Sequence, residues 1–219
     1  MMRKRSILMP NDELTAVGPV MGHTELVELH FRDGGPLQVP LRVFVDMNCK
    51  IGMAVSPETY QQFENEATAA KAKDYVLKRL ARRAMTVKEV HFALQKQQFE
   101  AAVIQITIDN LIQIGVLNDR QYAEDFVSGK GRRLSRAELV WRLSQRGVSK
   151  EVAEQVVKVE DADEREYEAA LNFAAKFWRR HERDEDRVRA QKLGAYLQRR
   201  GFSMEVIRRV IRTLQSPLS

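Results

Sequence analysis

Apolar and polar residues alternate in the first quarter of the chain, before the pattern changes to a helical spacing. The segment 25–31 places alternate residues on one side of a strand, and apolar residues alternate again over 37–45, after the turn signal 33–36. A period of two is typical of half-buried strands. Pro40 has no amide to donate to a ladder, which places its strand at an edge or a bulge. We predict a small antiparallel hairpin or three-stranded sheet, with 50–55 as its third strand.

The segment before this sheet and the segment after it carry different signals. Residues 1–22 show no sustained period, which predicts an irregular arm. Ser56, Pro57 and Glu58 predict the start of a helix, because they provide a capping oxygen, a proline in the first turn and an acid beside the positive helix end. From there on, apolar residues recur every three or four positions, which predicts helices.

The helical part of the sequence repeats. Thr86–Glu89 and Ser135–Glu138 are both capping boxes, and an offset of 49 residues relates them. The same offset aligns Leu94–Phe99 with Leu143–Val148, and a further offset of 54 reaches Leu197–Phe202. Three copies that match in the same order predict three units of three helices each.

Each copy ends its middle helix in the same way. Gly147 and Gly201 suit a left-handed residue just past a helix end, and Gln98 stands at that place in the first copy, where the same conformation costs about 1 kcal/mol more. Because three such helices bury only a small core, the copies are expected to stack into an elongated array. The third copy carries an insertion at 178–187, interpreted as a helix extension or a mobile link.

The predicted fold is therefore mainly α, with tandem three-helix repeats in an elongated array after a small antiparallel β unit. The predicted domains are an irregular arm (1–22), a small β unit with a helix (23–70), repeat 1 (71–117), repeat 2 (118–160) and repeat 3 (161–219).

Composition narrows the class of protein. Of the 219 residues 44% are apolar and 30% are charged, and no apolar run approaches the roughly 18 residues that a bilayer crossing needs. A single cysteine, Cys49, excludes an internal disulfide and predicts a reducing compartment. We predict a cytoplasmic protein that does not enter a membrane and is a monomer.

The charge is distributed unevenly. Residues 1–70 hold six Lys and Arg against nine Asp and Glu, whereas residues 71–219 hold 30 basic and 21 acidic residues. The basic part is suited to polyanions or to acidic protein surfaces.

No motif for bond-making chemistry is found in the sequence. The four histidines, His23, His30, His91 and His181, are far apart and form no zinc motif. Gly129–Gly131 lacks the spacing and the ending of a phosphate-binding loop, and predicts a turn between helices. The sequence therefore predicts no catalytic residue, metal or cofactor, and a protein that is not an enzyme.

Basic clusters that lie off the apolar stripes are the candidate partner-binding residues. They are Lys78, Arg79, Arg82, Arg83, Lys130, Arg132, Arg133, Arg136, Arg199, Arg200, Arg208, Arg209 and Arg212. The group from Lys130 to Arg136 contains no acid. Combined charge reversal at 132, 133 and 136 is expected to weaken binding to the partner and to leave the helices intact. Trp141, Tyr122 and Tyr196 are predicted to pack in the core.

With these repeats in place, the chain resembles the RecX regulatory proteins, which modulate the RecA recombinase. Leu111–Ala123 is similar to the most recognisable segment of that family, a helix end, a Gly-hydrophobic-Leu turn and an acidic restart. Leu143–Val148 and Leu197–Phe202 resemble its paired Leu-x-x-basic-Gly-hydrophobic turns. The first copy departs from the pattern, because Arg82–Thr86 lacks a proline and Gln98 replaces a glycine.

The resemblance implies a regulator without enzymatic activity, connected with DNA repair, recombination and the SOS response. Members of the family bind RecA, both free and as a filament on DNA, and restrain ATP hydrolysis and strand exchange. They are thought to lie in the groove of the filament, where basic clusters would meet acidic walls or the backbone of single- or double-stranded DNA.

Two other functions fit the sequence. One is a helical repeat protein that binds DNA or RNA directly through its basic face, with a steep dependence on salt. The other is an adaptor that only links other proteins.

Overall fold

The computed structural model describes residues 12–158 and 162–216. The four strands in these ranges are β1 (Asp12–Val20), β2 (His23–Phe31), β3 (Leu37–Pro40) and β4 (Ala54–Val55). The α-helices are α1 (Leu41–Asp46), α2 (Pro57–Leu80), α3 (Val87–Lys96), α4 (Ala101–Gln113), α5 (Asp119–Lys130), α6 (Arg136–Gln145), α7 (Lys150–Val157), α8 (Ala162–Arg180), α9 (Asp186–Arg199) and α10 (Met204–Gln215). These elements form two compact units, one from residues 12–84 and 90–117 and one from 85–89 and 118–216.

The sheet of the first unit is antiparallel, with the strand order β3-β2-β1-β4. Leu14 of β1 pairs with Phe31 of β2, and both are buried against α2. The Phe31 ring meets the ring of Tyr60 edge to face, with centroids 4.9 Å apart. The sheet thus buries one face on the start of α2, as the alternating pattern predicts.

The predicted irregular arm is wrong for residues 12–20, which form β1, while residues 1–11 lie outside the described part of the chain. The buried Asp12 carboxylate accepts the amides of Glu13, Asp33 and Gly34 at 2.7, 3.1 and 2.8 Å. Burial acts to raise the pKa of Asp12, but these amide hydrogen bonds outweigh it and lower the pKa. β1 is therefore joined to the turn that follows β2.

The predicted strand over 37–45 is also too long, because β3 ends at Pro40 and α1 follows it. Pro40 cannot donate to a ladder, and it takes the position just before the first turn of α1. The third predicted strand is reduced to β4, because the left-handed residues Asn48 and Gly52 turn the chain ahead of it. The sheet thus has four strands where two or three were predicted.

The long helix α2 begins as predicted and extends beyond the sheet. The Ser56 side chain accepts the amide of Thr59 at 3.2 Å, and Pro57 occupies the first turn. α2 packs against β3 and, further along, against α4. The buried residues of this helical part include Val76, Val90, Ala93, Leu94, Val103, Ile104, Ile108, Leu111 and Leu117.

The second unit contains two three-helix groups, each with its own apolar core. The first consists of α5, α6 and α7, and the second of α8, α9 and α10. The insertion at 178–187 extends α8 to Arg180 and then turns into α9. The fold class is confirmed as mainly α, with three-helix repeats after a small antiparallel sheet; the predicted domain boundaries stay predictions.

The middle helix of every copy ends in the same left-handed turn. Gln98, Gly147 and Gly201 have φ of 60°, 98° and 78°, as the sequence predicts. In each turn the next amide bonds back to a leucine carbonyl five residues earlier, as from Val148 to Leu143 at 3.1 Å. This is the Schellman arrangement, and it satisfies carbonyls that a helix end would leave unpaired.

Two buried side chains, Thr86 and Ser135, form what we call hydroxyl bridges. The Thr86 oxygen accepts the amide of Glu89 at 3.2 Å and donates to the carbonyl of Arg146 at 2.6 Å. The Ser135 oxygen accepts the amide of Glu138 at 3.2 Å and donates to the carbonyl of Arg200 at 2.7 Å. Each hydroxyl therefore caps its own helix and also bonds to the left-handed turn of the following middle helix.

A carboxylate from the first helix of the next group accompanies each hydroxyl bridge. The Val87 amide donates to Asp119 at 2.9 Å, and the Arg136 amide donates to Glu166 at 3.2 Å. Val87 and Arg136 are related by the same 49-residue offset as the two capping boxes. An acid at a helix N-terminus also interacts favourably with the helix dipole.

The bridged turns require glycine for space as well as for conformation. A Cβ atom on Gly147 would lie 2.3 Å from the Cβ of Lys88, and one on Gly201 would lie 3.0 Å from the Cβ of Ala137. Lys88 and Ala137 are equivalent residues of successive copies, so the preceding helix approaches both turns at the same place, more closely at Gly147 than at Gly201.

We expect Gly147→Ala to lower the free energy of unfolding by about 2–4 kcal/mol, because it combines a left-handed alanine with overpacking against Lys88. Gly115→Ala is the control: Gly115 has φ of 71° and open space around it, so only the conformational cost of about 1 kcal/mol applies. Urea unfolding measures both losses, and equal losses would contradict the close approach.

We expect Asp119→Asn to make stability less dependent on pH. Burial raises the pKa of Asp119, the Val87 amide lowers it and the charge of Glu89 raises it, with a net rise. The stability that this carboxyl contributes is therefore full below its ordinary pKa of about 3.9 and is lost as the pH rises through the folded value. Asparagine keeps the accepting oxygen and does not titrate.

Denaturant unfolding between pH 4 and 7 measures this effect. The stability of the unchanged chain, relative to Asp119→Asn, should fall as the pH rises. A relative stability that rises with pH would contradict the prediction.

Candidate partner-binding surface

The first four candidate cations lie at the end of α2 and just beyond it. Lys78, Arg79, Arg82 and Arg83 are all exposed. Arg79 donates to the hydroxyl of Tyr75 at 2.9 Å and lies over its ring, which holds the guanidinium against the helix. Arg83 donates to the carbonyl of Ala84.

The cluster between α5 and α6 is divided between exposed and paired side chains. Lys130 ends α5, and Arg132 and Arg133 lie in a short 3₁₀ helix, Gly131–Arg133. Arg136 opens α6 and pairs with the buried Glu166 at 2.8 Å and with Asp163 at 2.8 Å. The expectation that reversal of Arg136 leaves the helices intact stays untested, but these ion pairs argue against it, because reversal would leave the Glu166 carboxylate buried beside another acid.

Acidic residues near the start of α8 neutralise several of the candidate cations. Arg132 lies 3.4 Å from Glu168, and Arg209 of α10 bonds to both oxygens of Glu164 at 2.8 and 3.1 Å. Arg209 also stacks on Tyr167, 3.8 Å from the ring centroid, and its hydrogen bond with Glu164 raises its pKa. These arginines are held in place by their partners.

Arg200 stacks on two rings at the end of α9, and the equivalent arginine of the preceding copy does the same. Arg200 lies 4.3 Å from the Phe173 centroid, and Arg146 lies 5.4 Å from that of Phe126. Arg146 also donates to the hydroxyl of Tyr122. Sequence reasoning missed Arg146, although the 54-residue offset aligns it with Arg200.

Five candidate cations of the second unit keep their charge available to a partner. They are Lys130, Arg133, Arg199, Arg208 and Arg212. All five are exposed, and none forms an ion pair within the described residues. Arg208 and Arg212 are one turn apart on α10, opposite its buried residues Val206 and Val210.

The aromatic residues divide between core and surface. Tyr122 is buried and Tyr196 packs on the core of its group, as predicted. The prediction for Trp141 is wrong, because 60% of its surface is exposed. α6 buries Leu139 and Leu143, and Trp141 lies between them in sequence, so it is directed to the opposite side of the helix.

Features of a metal site or of a membrane span are absent from the described residues. These residues contain no group of three or more metal-ligating side chains. None of their helices has the length and apolar character to cross a membrane. Cys49 is a free thiol in the core of the sheet unit, and burial raises its pKa.

Family models match the chain in three separate stretches. Their descriptions are RecX, first three-helix domain, for residues 72–111; RecX, second three-helix domain, for 118–157; and RecX, third three-helix domain, for 163–211. Together they match more than half of the chain.

Curated relatives carry the name "Regulatory protein RecX". The one from Caldanaerobacter subterraneus is 28% identical over 169 residues, which are 77% of this chain and 83% of the relative. The one from Chlorobium phaeobacteroides is 29% identical over 143 residues, 64% of this chain and 91% of the relative. The one from Clostridium tetani is 22% identical over 206 residues, 93% of this chain and 94% of the relative.

Solved structures have the same fold. A crystal structure of regulatory protein RecX covers 91% of this chain and 98% of its own, with a TM-score of 0.72 at 17% identity. RecX from Lactobacillus salivarius covers 67% of this chain and 96% of its own, with a TM-score of 0.62 at 26% identity.

We expect Arg136→Ala to lower the free energy of unfolding by about 2–3 kcal/mol, because it removes the charged partner of the buried Glu166. Arg132→Ala is the matched control, since 76% of its side chain and 45% of that of Glu168 are exposed. Such an exposed pair contributes at most about 1 kcal/mol. Similar losses for the two variants in urea unfolding would contradict a structural role for Arg136.

Proposed function

The chain belongs to the RecX family of regulatory proteins, and on that premise we propose that it regulates the RecA recombinase. It binds RecA, both free and as a filament on DNA, and restrains ATP hydrolysis and strand exchange. It acts in the cytoplasm, as a monomer, and performs no bond-making chemistry of its own.

The observation that carries this proposal is the match of three successive RecX domains in their proper order. The uneven charge supports it, because the basic residues are concentrated in residues 71–219, the part of the chain that holds these domains. Similar units in tandem suit a polymeric target, since each contact adds to the others through effective concentration.

The proposed contacts are made by the cations that the fold leaves available. In the second unit these are Lys130, Arg133, Arg199, Arg208 and Arg212, and in the first unit they are Lys78 and Arg82. Arg79 and Arg83 are proposed to contribute from the same cluster, although Arg79 donates to Tyr75 and Arg83 to the carbonyl of Ala84. The same surface also holds Arg132, Arg136, Arg200 and Arg209. These four arginines stabilise the fold, because each pairs with an acid or stacks on an aromatic ring. Unpaired surface cations accelerate encounter with an acidic surface and make binding sensitive to salt.

Titration of RecA with this protein tests the proposal directly. The rate of ATP hydrolysis by RecA on single-stranded DNA should fall progressively as the protein is added. Binding to a preformed RecA filament should exceed binding to bare DNA at physiological salt. An unchanged hydrolysis rate would refute the proposal, and a preference for bare DNA would support a direct nucleic-acid-binding protein instead.

We expect combined reversal of Arg133, Arg208 and Arg212 to glutamate to raise the concentration for half-inhibition by on the order of ten-fold, with unfolding unchanged. The matched control reverses Arg180, Arg183 and Arg187, which removes the same charge around the turn between α8 and α9. Equal weakening by both variants would show that total charge alone decides inhibition.

A further inference from the structure

Two exposed aromatic residues occupy the same place in successive copies of the repeat. Phe92 lies on α3 and Trp141 on α6, and the exposed fractions are 66% and 60%. The offset between them is 49 residues, the one that relates the capping boxes at Thr86 and Ser135. The equivalent residue of α9 is Ala195, so the third copy lacks the ring.

Neither ring is needed by the core of its copy. Val90 and Leu94 fill the buried face of α3, as Leu139 and Leu143 fill that of α6. A large ring left in water gains nothing for the fold, whereas tryptophan and other aromatic residues are the main anchors of protein interfaces. The repetition at one structural position therefore points to a contact with a partner.

The charge around Trp141 indicates the chemistry of that partner. Its neighbours about one turn away on the helix are Ala137, Ser144 and Gln145, which carry no charge, and Glu138. Arg142, the adjacent residue, is held by Glu138 through two hydrogen bonds of 3.1 and 2.6 Å. A phosphate backbone would require uncompensated cations beside the ring, so this neutral surface suits a desolvated apolar pocket on a protein.

The surroundings of Phe92 add a further detail. Lys88 and Lys96 lie one turn before and one turn after it on α3, and both are exposed. A recurring pocket that accepts both rings therefore meets lysines beside Phe92 and a neutral surface beside Trp141, so its apolar interior, and not the charge of its rim, is the feature that both contacts share.

We propose that Phe92 and Trp141 each insert into an apolar pocket on a protein subunit of the recombinase filament, an inference that rests on the proposed function. Because the pocket recurs on every subunit, one molecule engages it twice. The second insertion is intramolecular, and this favours the filament over a single free subunit. The aromatic anchors provide affinity for the filament. The cations already described accelerate association with it and make that association depend on salt.

Equilibrium binding to three targets tests the inference: a RecA filament preformed on single-stranded DNA, free RecA, and the same DNA alone. Trp141→Ala should weaken binding to the filament by about 30-fold, the loss typical of an interface anchor. Phe92→Ala should act in the same direction, Trp141→Phe should restore most of the affinity, and binding to DNA alone should not change. Val188→Ala, an exposed apolar residue of α9, should bind the filament like the unchanged chain.

Each alternative outcome has a separate meaning. Thermal unfolding of Trp141→Ala should match that of the unchanged chain, because the ring is exposed. Normal filament binding by Trp141→Ala would refute the anchoring role of the two rings, but it would not contradict the proposed function. An equal loss on bare DNA overturns that role in favour of stacking on bases. Failure of the unchanged chain to bind the filament overturns the proposed function itself and this inference with it.

Discussion

A buried hydroxyl needs an acceptor for its own proton, and at a helix start its oxygen also accepts an amide; this double requirement organises the second unit. Thr86 and Ser135 meet it at a helix start on one side and at a left-handed turn on the other. A buried polar group left without its partner costs about 1–3 kcal/mol, so the turn must stay within hydrogen-bond distance. At that distance the preceding helix leaves no space for a Cβ atom on Gly147 and only a tight contact for one on Gly201, which favours glycine in both bridged turns.

Acidic residues near the start of α8 divide the basic residues of the second unit into a paired group and an unpaired group. Glu166 serves the backbone at the start of α6 and so attracts the side chain of Arg136 as well. Glu164, two residues before it, forms an ion pair with Arg209, and Glu168, two residues after it, forms one with Arg132. A count of basic residues along the sequence overstates the charge that a partner meets, because acids more than 25 residues away in sequence neutralise part of it.

The features that sequence reasoning predicted correctly are those that local chemistry decides. A capping box and a left-handed helix end are each contained within a few residues, and Gln98 was recognised through its alignment with two glycines. The errors have long-range causes. β1 is joined to a turn about 20 residues away by the carboxylate of Asp12, and no periodicity along the chain shows this.

The candidate surface was predicted less well than the fold, and for two different reasons. The ion pair between Arg136 and Glu166 joins residues of different copies, so it could not be inferred from either segment alone. The exposure of Trp141, by contrast, was available from the sequence. A residue midway between the buried Leu139 and Leu143 is rotated about 200° from each, which directs it away from the core.

Neither end of the series of three copies has the features that form a hydroxyl bridge. Glu185 takes the cap position of α9 and its side chain makes no cap hydrogen bond, so the last copy has no hydroxyl to donate onward. At the other end, Gln98 places an exposed side chain on the left-handed turn, where the bridged turns have glycine. The donors of the bridges are therefore Thr86 and Ser135, their acceptors are the turns at Gly147 and Gly201, and each bridge joins successive copies of the repeat within this chain.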